Sequence, residues 1–309
     1  INNKSFKNKN IIITGANQGI GLEMATHFYK KGANVIICAR NKDKLNTVKK
    51  LFKKNKNQEI IVKRCDISKK KEVDNFLYKI IKKQKKLDIL INNAGVYGPK
   101  GKFDTLSWRH IKQTFDINLF GSIYLIKKIL PHFKKHNNGK IIQMSGGGAA
   151  SPLPYFSAYA SSKAGIVRFV ENLSSELKDY NIDINAVAPG AVNTNMLDEV
   201  LKAGPDKIGK YYYKKALIQK KKGGSSIKTA CDLILFLASN YSNGIKGKLL
   251  SALWDDWNNL PLYKEILKKS DVFALRRITA LDRGYKWGHV TKKNIYDRSL
   301  APRSILKKK

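Results

Sequence analysis

Short runs of β-branched residues alternate with longer amphipathic stretches along most of this chain, and that alternation constrains its fold more than any other feature. The runs at 10–14 (NIIIT), 34–38 (NVIIC), 59–64 (EIIVKR), 87–91 (LDILI), 139–144 (GKIIQM) and 182–187 (IDINAV) are predicted strands, with a seventh at 247–252 (GKLLSA). Helical spacing fills the intervals at about 19–31, 42–54, 69–84, 107–134, 157–179 and 226–239. Strands that are apolar throughout are buried on both faces, and intervening helices force parallel crossovers rather than hairpins. The expected fold is therefore α/β, a doubly wound parallel sheet in three layers, helix on sheet on helix. In the third helix Val73, Phe76, Leu77 and Ile80 recur on one face, the side that must meet the sheet. No solenoid period interrupts the pattern.

The first strand runs directly into Thr14-Gly15-Ala16-Asn17-Gln18-Gly19-Ile20-Gly21, where a helix is due to begin. Glycines serve such a turn by allowing a tight bend, a close approach of phosphate to backbone, and close helix–strand packing. The helix N-terminus adds free N–H groups and partial positive charge. A glycine trio alone says little; on the first strand–turn–helix of an alternating chain it indicates a Rossmann-type dinucleotide site.

The spacing TGxxxGxG resembles the short-chain dehydrogenase/reductase family, and further motifs of that family follow in order. Asp66-Ile67 comes after the third strand, and Asn92-Asn93-Ala94-Gly95 after the fourth. Asn118 lies within the long helix at about 107–134. Tyr159-Ala160-Ser161-Ser162-Lys163 matches YxxSK, and Pro189-Gly190 with Val192 and Thr194 matches the PGxxxT segment after the sixth strand. The resemblance covers about residues 8–250. It implies a dinucleotide held by Gly15, Asn17, Gln18, Gly19, Ile20, Gly21, Arg40, Asp66, Ile67, Asn93, Ala94, Gly95, Pro189, Gly190, Val192 and Thr194, with Tyr159 and Lys163 at the nicotinamide ribose. It also implies an enzyme that moves a hydride between nicotinamide and a ketone/alcohol or aldehyde/alcohol pair.

The implied chemistry rests on Tyr159 and Lys163, four residues apart and so on one helix face. A free phenol titrates at about 10, too high for acid–base work at neutral pH. A neighbouring ammonium and the oxidised nicotinamide favour the phenolate and are expected to lower that value. Asn118 resembles the residue that holds a relay water behind the lysine. The family's serine stands 13 residues before the tyrosine, where this chain has Gly146; Ser145 is 14 away. Either the loop is shifted by one residue and Ser145 orients the carbonyl, which is the reading preferred here, or that hydroxyl is absent.

The second predicted strand ends Cys38-Ala39-Arg40-Asn41. NAD enzymes place a carboxylate there for the ribose 2′-hydroxyl; Ala39 carries no charge, and Arg40 can fork onto a 2′-phosphate. NADP is favoured, with NAD the alternative, although Gln18 stands where many NADP relatives add a second cation. Residues 190–225 are Lys-rich, broken by Gly204, Pro205, Gly209 and Gly223-Gly224, and read as a loop-like flap over the pocket. The division expected is a dinucleotide-binding domain over 1–252 and a packed extension over 253–309. That extension carries Trp254, Trp257, Arg276, Arg277, Arg283, Trp287 and Arg298. One reading gives Arg276, Arg277 or Arg283 an anionic substrate; the other pairs them with Asp271, Asp282 and Asp297.

The formal net charge of +37 admits a polyanion partner. The lysines are spread over nearly every predicted helix, however, and are not interleaved with stacking aromatics, so nucleic acid is disfavoured. A regulator that binds dinucleotide without turnover would be expected to lack the tyrosine or lysine, and both are present. Cys38, Cys65 and Cys231 show no metal or redox spacing and read as reduced core residues of a cytoplasmic protein. No metal site, signal segment or membrane span is expected. A homodimer or homotetramer through the helices near 107–134 and 157–179 is what the resemblance implies.

Overall fold

In the computed structural model of the chain, which describes residues 5–53 and 58–285, seven parallel strands form one sheet in the order β3-β2-β1-β4-β5-β6-β7. They are β1 (Asn10–Thr14), β2 (Asn34–Ala39), β3 (Ile60–Arg64), β4 (Ile89–Asn92), β5 (Gly139–Met144), β6 (Ile182–Ala188) and β7 (Leu249–Ser251). Ile11, Ile12 and Ile13 are fully buried, as strands covered on both faces require. On one side lie α1 (Gly19–Lys30), α2 (Lys42–Leu51) and α10 (Ile227–Ala238); on the other lie α3 (Lys70–Gln84), α5 (Ser122–Lys135) and α6 (Ser157–Glu176). Val73, Phe76, Leu77 and Ile80 are the buried face of α3. The chain leaves β1 in one direction and β4 in the other. That reversal opens a crevice at the carboxyl ends of the strands, where such sheets bind ligands.

Two stretches differ from the expectation. The long helix before β5 is built of α4 (Trp108–Phe115) and α5, joined through a π-helical segment, Asp116–Gly121. The stretch 190–225, expected as loop, is mostly helical: α7 (Asn195–Ala203), α8 (Pro205–Ile208) and α9 (Lys210–Lys222). Gly204, Gly209 and Gly223 all have positive φ, so they mark where one helix ends and the chain turns; they do not dissolve the segments between them. The lysine-rich run after Gly209 is a fair helix former, and Tyr212, Tyr213 and Ala216 turn toward a third apolar cluster.

The described part of the extension runs along the free edge of β7. Leu260 and Leu267, from a 3₁₀ turn and α11 (Lys264–Lys269), are buried in the main core, and Trp257 packs on Phe236 at 5.6 Å between ring centres. Phe273 O then accepts from Leu249 N at 2.8 Å, and Lys248 Nζ donates to the carbonyls of Ser270 and Val272. Trp287, Asp297 and Arg298 lie outside the described residues. No helix among the described residues is long and apolar enough to cross a membrane.

Candidate active site

The turn after β1 is compact because two of its glycines leave no room for a side chain. A Cβ on Gly15 would stand 2.8 Å from Ala94 Cα, and one on Gly21 2.5 Å from Asn93 Nδ2 and 2.8 Å from Ala16 Cα. Thr14 Oγ1 accepts from the backbone N–H groups of Asn93 and Ala94, both at 3.0 Å, tying this turn to the one after β4. The first turn of α1 carries no acidic residue, and its N-cap, Gln18, makes no side-chain capping bond, so the helix end presents its N–H groups outward.

A cleft of about 470 Å³ opens there. Of the residues singled out in the sequence, Gly15, Asn17, Gln18, Gly19, Ile20, Gly21, Arg40, Asp66, Ile67, Asn93, Ala94, Gly95 and Thr194 line it. Lys44 also lines it and was missed by sequence reasoning, although it lies one helical turn beyond Arg40. Its ammonium donates to Gln18 Oε1 at 2.5 Å, so a cation reaches the position from the opposite helix after all. Arg40 is exposed, with no ion pair among the described residues. The shape and donor set fit a dinucleotide: a glycine cradle and helix N-terminus for the pyrophosphate, and cations at the far end.

Asn118, Ser145, Tyr159, Lys163, Pro189, Gly190 and Val192 do not line this cleft; Asn118 and Lys163 stand against Gly95, which does. Asn118 projects inward from the π-helical segment. Its Oδ1 accepts from Val96 N at 2.9 Å, and its Nδ2 donates to Val96 O at 2.8 Å and Ser162 Oγ at 3.0 Å. Lys163 is buried and donates to Met144 O at 2.9 Å, with its ammonium 5.7 Å from the centre of the Tyr159 ring. A Cβ on Gly95 would lie 3.3 Å from Asn118 Oδ1 and 3.4 Å from Lys163 Nζ, so the three meet at one point. Ser145 is buried and its hydroxyl has no hydrogen-bond partner among the described residues. At Gly146, a Cβ would stand 2.4 Å from Tyr159 Oη.

Burial decides the electrostatics. It raises the Tyr159 phenol, with nearby Tyr212 adding to the rise, and it lowers Lys163 to about 8. Among the protein's own groups desolvation dominates at Tyr159 and favours the neutral phenol, while Lys163 points at the Met144 carbonyl; the lowering expected from lysine and oxidised nicotinamide together belongs to the loaded site.

Above Tyr159, α7–α9 close an aromatic and aliphatic lid. Leu197, Val200, Ile208 and Ala216 are buried with Phe156 and Tyr159. Tyr97 stands 4.6 Å from the Tyr159 ring and Tyr212 5.0 Å from Phe156, between centres. Gly190, at φ +87°, begins this lid, and a Cβ there would lie 2.6 Å from Leu253 of the extension.

The arginines of the extension are elsewhere. Arg276 and Arg277 border a larger cleft, about 1260 Å³, together with Lys9, Asp88, Gly139 and Asn181, which all stand at the amino ends of strands. That is the edge of the sheet opposite Tyr159. Arg276 pairs with Asp271 and Asp282 at 2.8 and 2.7 Å, so its charge is engaged within the extension. Anion binding beside Tyr159 by Arg276 or Arg277 is therefore corrected: the bond between Leu249 and Phe273 pins that part of the chain to the wrong edge. The three cysteines are free and buried, but β2–β3 pairing brings Cys38 and Cys65 together, and their hydrogen bond and burial push Cys38 well up. Among the described residues no cluster of His, Cys, Asp or Glu could hold a metal.

Comparison with known proteins places this geometry in context. Residues 9–204 match the short chain dehydrogenase family. The chain is 37% identical over 197 residues to 11-beta-hydroxysteroid dehydrogenase-like 3 of Arabidopsis thaliana, a match that spans 63% of this chain and 63% of that relative. It is 32% identical over 248 residues to the 3-oxoacyl-(acyl-carrier-protein) reductase FabG of Rickettsia felis, covering 78% of this chain and 94% of that one. Among solved structures, YwfH, an NADPH dependent reductase involved in bacilysin biosynthesis, superposes with a TM-score of 0.71 at 26% identity, covering 80% of this chain and 97% of that one.

Proposed function

The chain belongs to the short-chain dehydrogenase family, and from that membership we propose that it is an NADP(H)-preferring oxidoreductase interconverting a ketone or aldehyde with its alcohol. The observation that carries the proposal is the meeting of Asn118 and Lys163 at Gly95, a residue of the glycine-cradled cleft, with the Tyr159 ring 5.7 Å from the Lys163 ammonium. The dinucleotide supplies the hydride in reduction and accepts it in oxidation.

The protein's own part divides by residue. Tyr159, kept neutral by burial, donates its proton to the carbonyl oxygen as the hydride arrives, and takes it back in the reverse direction. Lys163, fixed by Met144 O, reaches the nicotinamide ribose and relays the proton. Ser145 orients the carbonyl; support comes from its buried hydroxyl, which is otherwise left without a partner. Asn118 positions the floor of the site by holding both backbone groups of Val96, and a relay water behind the lysine belongs to the same reading. Pro189, Gly190, Val192 and Thr194 carry the lid over the nicotinamide.

NADP preference is supported by the absence of a carboxylate at Ala39 and by two cations, Arg40 and Lys44, at the outer end of the cleft. Self-association is part of the proposal. Trp108 and Phe120 leave large apolar surfaces exposed on the segment from α4 to α5.

Fluorescence titration with NADPH and NADH tests the reading, using the wild type, Tyr159→Phe and the double variant Arg40→Ala/Lys44→Ala. The expected outcome is NADPH binding at least ~10-fold tighter than NADH, which is about 1.4 kcal/mol. That preference should vanish in the double variant, and carbonyl-dependent NADPH oxidation should vanish in Tyr159→Phe. Failure of both dinucleotides to bind would refute the reading.

A further inference from the structure

Resting on the oxidoreductase reading above, we propose that the substrate is an oxo acid, or the matching hydroxy acid, with an apolar body, and that Lys100 binds its carboxylate. The geometry around Lys100 motivates this. Its side chain is only 10% exposed. Lysines are almost never buried without a partner, because a desolvated ammonium must recover the hydrogen bonds it gave up. Here the recovery is loose, through two long polar contacts and the face of the Tyr97 ring. Lys100 Nζ donates to Gly98 O at 3.2 Å and faces Glu199 Oε2 at 3.5 Å, both long for a charge-assisted bond. An ammonium has three N–H groups to place. Glu199 is itself a loose partner, with its side chain 58% exposed.

The position matters as much as the pairing. Lys100 Nζ lies 5.6 Å from the centre of the Tyr97 ring, and that ring is 4.6 Å from the ring of Tyr159. The ammonium is therefore within about 10 Å of the Tyr159 ring. The neighbouring Gly101 N donates to Tyr155 O at 3.0 Å, which holds this loop against the segment leading into α6. The side chains packed about Tyr159 include Tyr97, Phe156, Met196, Leu197 and Tyr212. These apolar surroundings suit an uncharged hydrocarbon body, with a polar group at each end: the carbonyl at Tyr159 and an anion at Lys100. One lysine, a compact point charge, matches a singly charged carboxylate; a phosphate dianion calls for an arginine fork or several cations. A substrate carboxylate arriving at Lys100 replaces Glu199 there, so the lysine stays paired while Glu199, already largely exposed, turns to solvent.

Calorimetric titration of the NADP-loaded protein tests this, with 5-oxohexanoate, 5-oxodecanoate and their primary amides as probes. The proteins are the wild type, Lys100→Met and Lys100→Arg. At least one acid is expected to bind about tenfold or more tightly than its amide in the wild type. That ratio falls to about one in Lys100→Met and recovers in part in Lys100→Arg, while NADPH affinity stays unchanged in all three. Equal affinity of acids and amides in the wild type overturns the proposal, and so does failure of every probe to bind. An equal loss for acid and amide in Lys100→Met also overturns it, because that outcome assigns Lys100 to fastening α7 through Glu199. Dinucleotide binding and dependence on Tyr159 are read separately, so a failure of the oxidoreductase reading is told apart from a failure of the Lys100 assignment.

Discussion

Gly146 has an extended backbone that any residue could adopt, yet it leaves no space for a side chain, because a Cβ there would meet Tyr159 Oη at 2.4 Å. Replacing it with alanine should displace the phenol and lower kcat at least ~10-fold, equivalent to 1.4 kcal/mol of barrier. NADPH affinity should be unchanged, since the cleft is untouched; unaltered kcat in steady-state assays would contradict the contact. Lys163 supplies a second residue-level test. Burial destabilises its ammonium only in the folded state, lowering it to about 8. Between about pH 8 and the ordinary lysine value the unfolded chain therefore binds more protons, so stability from this group rises with pH. Lys163→Met removes that rise. Urea melts should show the wild type gaining, relative to the variant, on the order of 3 kcal/mol between pH 7 and pH 10.5; a difference independent of pH would count against it. The Tyr159–Lys163 pair and the glycines were legible from spacing taken together with the family resemblance. The direction of the tyrosine shift was not, because it depends on desolvation, on the nearness of Tyr212 and on where Lys163 points.

At the scale of elements, helix and strand positions followed from periodicity, but two refinements needed neighbours. Apolar spacing cannot distinguish a continuous α-helix from one carrying a π-helical segment, and that segment is what aims Asn118 at Val96 and Ser162. Asn118→Ala would orphan the N–H and carbonyl of Val96. The expected loss is about 2–3 kcal/mol of unfolding free energy, with weaker NADPH binding. Denaturation and fluorescence titration check both, and a variant as stable as the wild type would rule out the clamp. In the lid, glycines that read as loop formers are helix ends. The apolar residues between them, Leu197, Val200 and Ile208, find their partners across the site on Phe156 and Tyr159, far away in sequence.

Across the whole molecule, the extension is the part least determined by local pattern. Leu267 is buried against the main core on the flank of β7. Leu267→Ala should lower stability by about 2–4 kcal/mol through lost burial and cavity formation. NADPH affinity should be unaffected, because the dinucleotide cleft lies elsewhere. A urea midpoint equal to that of the wild type would show that the extension folds independently. The basic balance is also shaped at this scale. A few cations line the two clefts: Lys44 with Arg40 at the dinucleotide cleft, and Lys9 with Lys140, Lys246 and Lys248 at the other.

By itself the sequence determined the parallel sheet, the glycine cradle and the Tyr159–Lys163 face, because each is a short-range pattern: period two or 3.6, a fixed turn, or four residues along a helix. Only the tertiary structure decided which charges meet. It sent Arg276 and Arg277 to the strand ends opposite the site, brought Lys44 to Gln18, set the free Cys38 beside Cys65, and left Lys100 loosely partnered near Tyr159. These contacts span elements whose approach depends on how the sheet and its helices pack together, and no local pattern carries that distance.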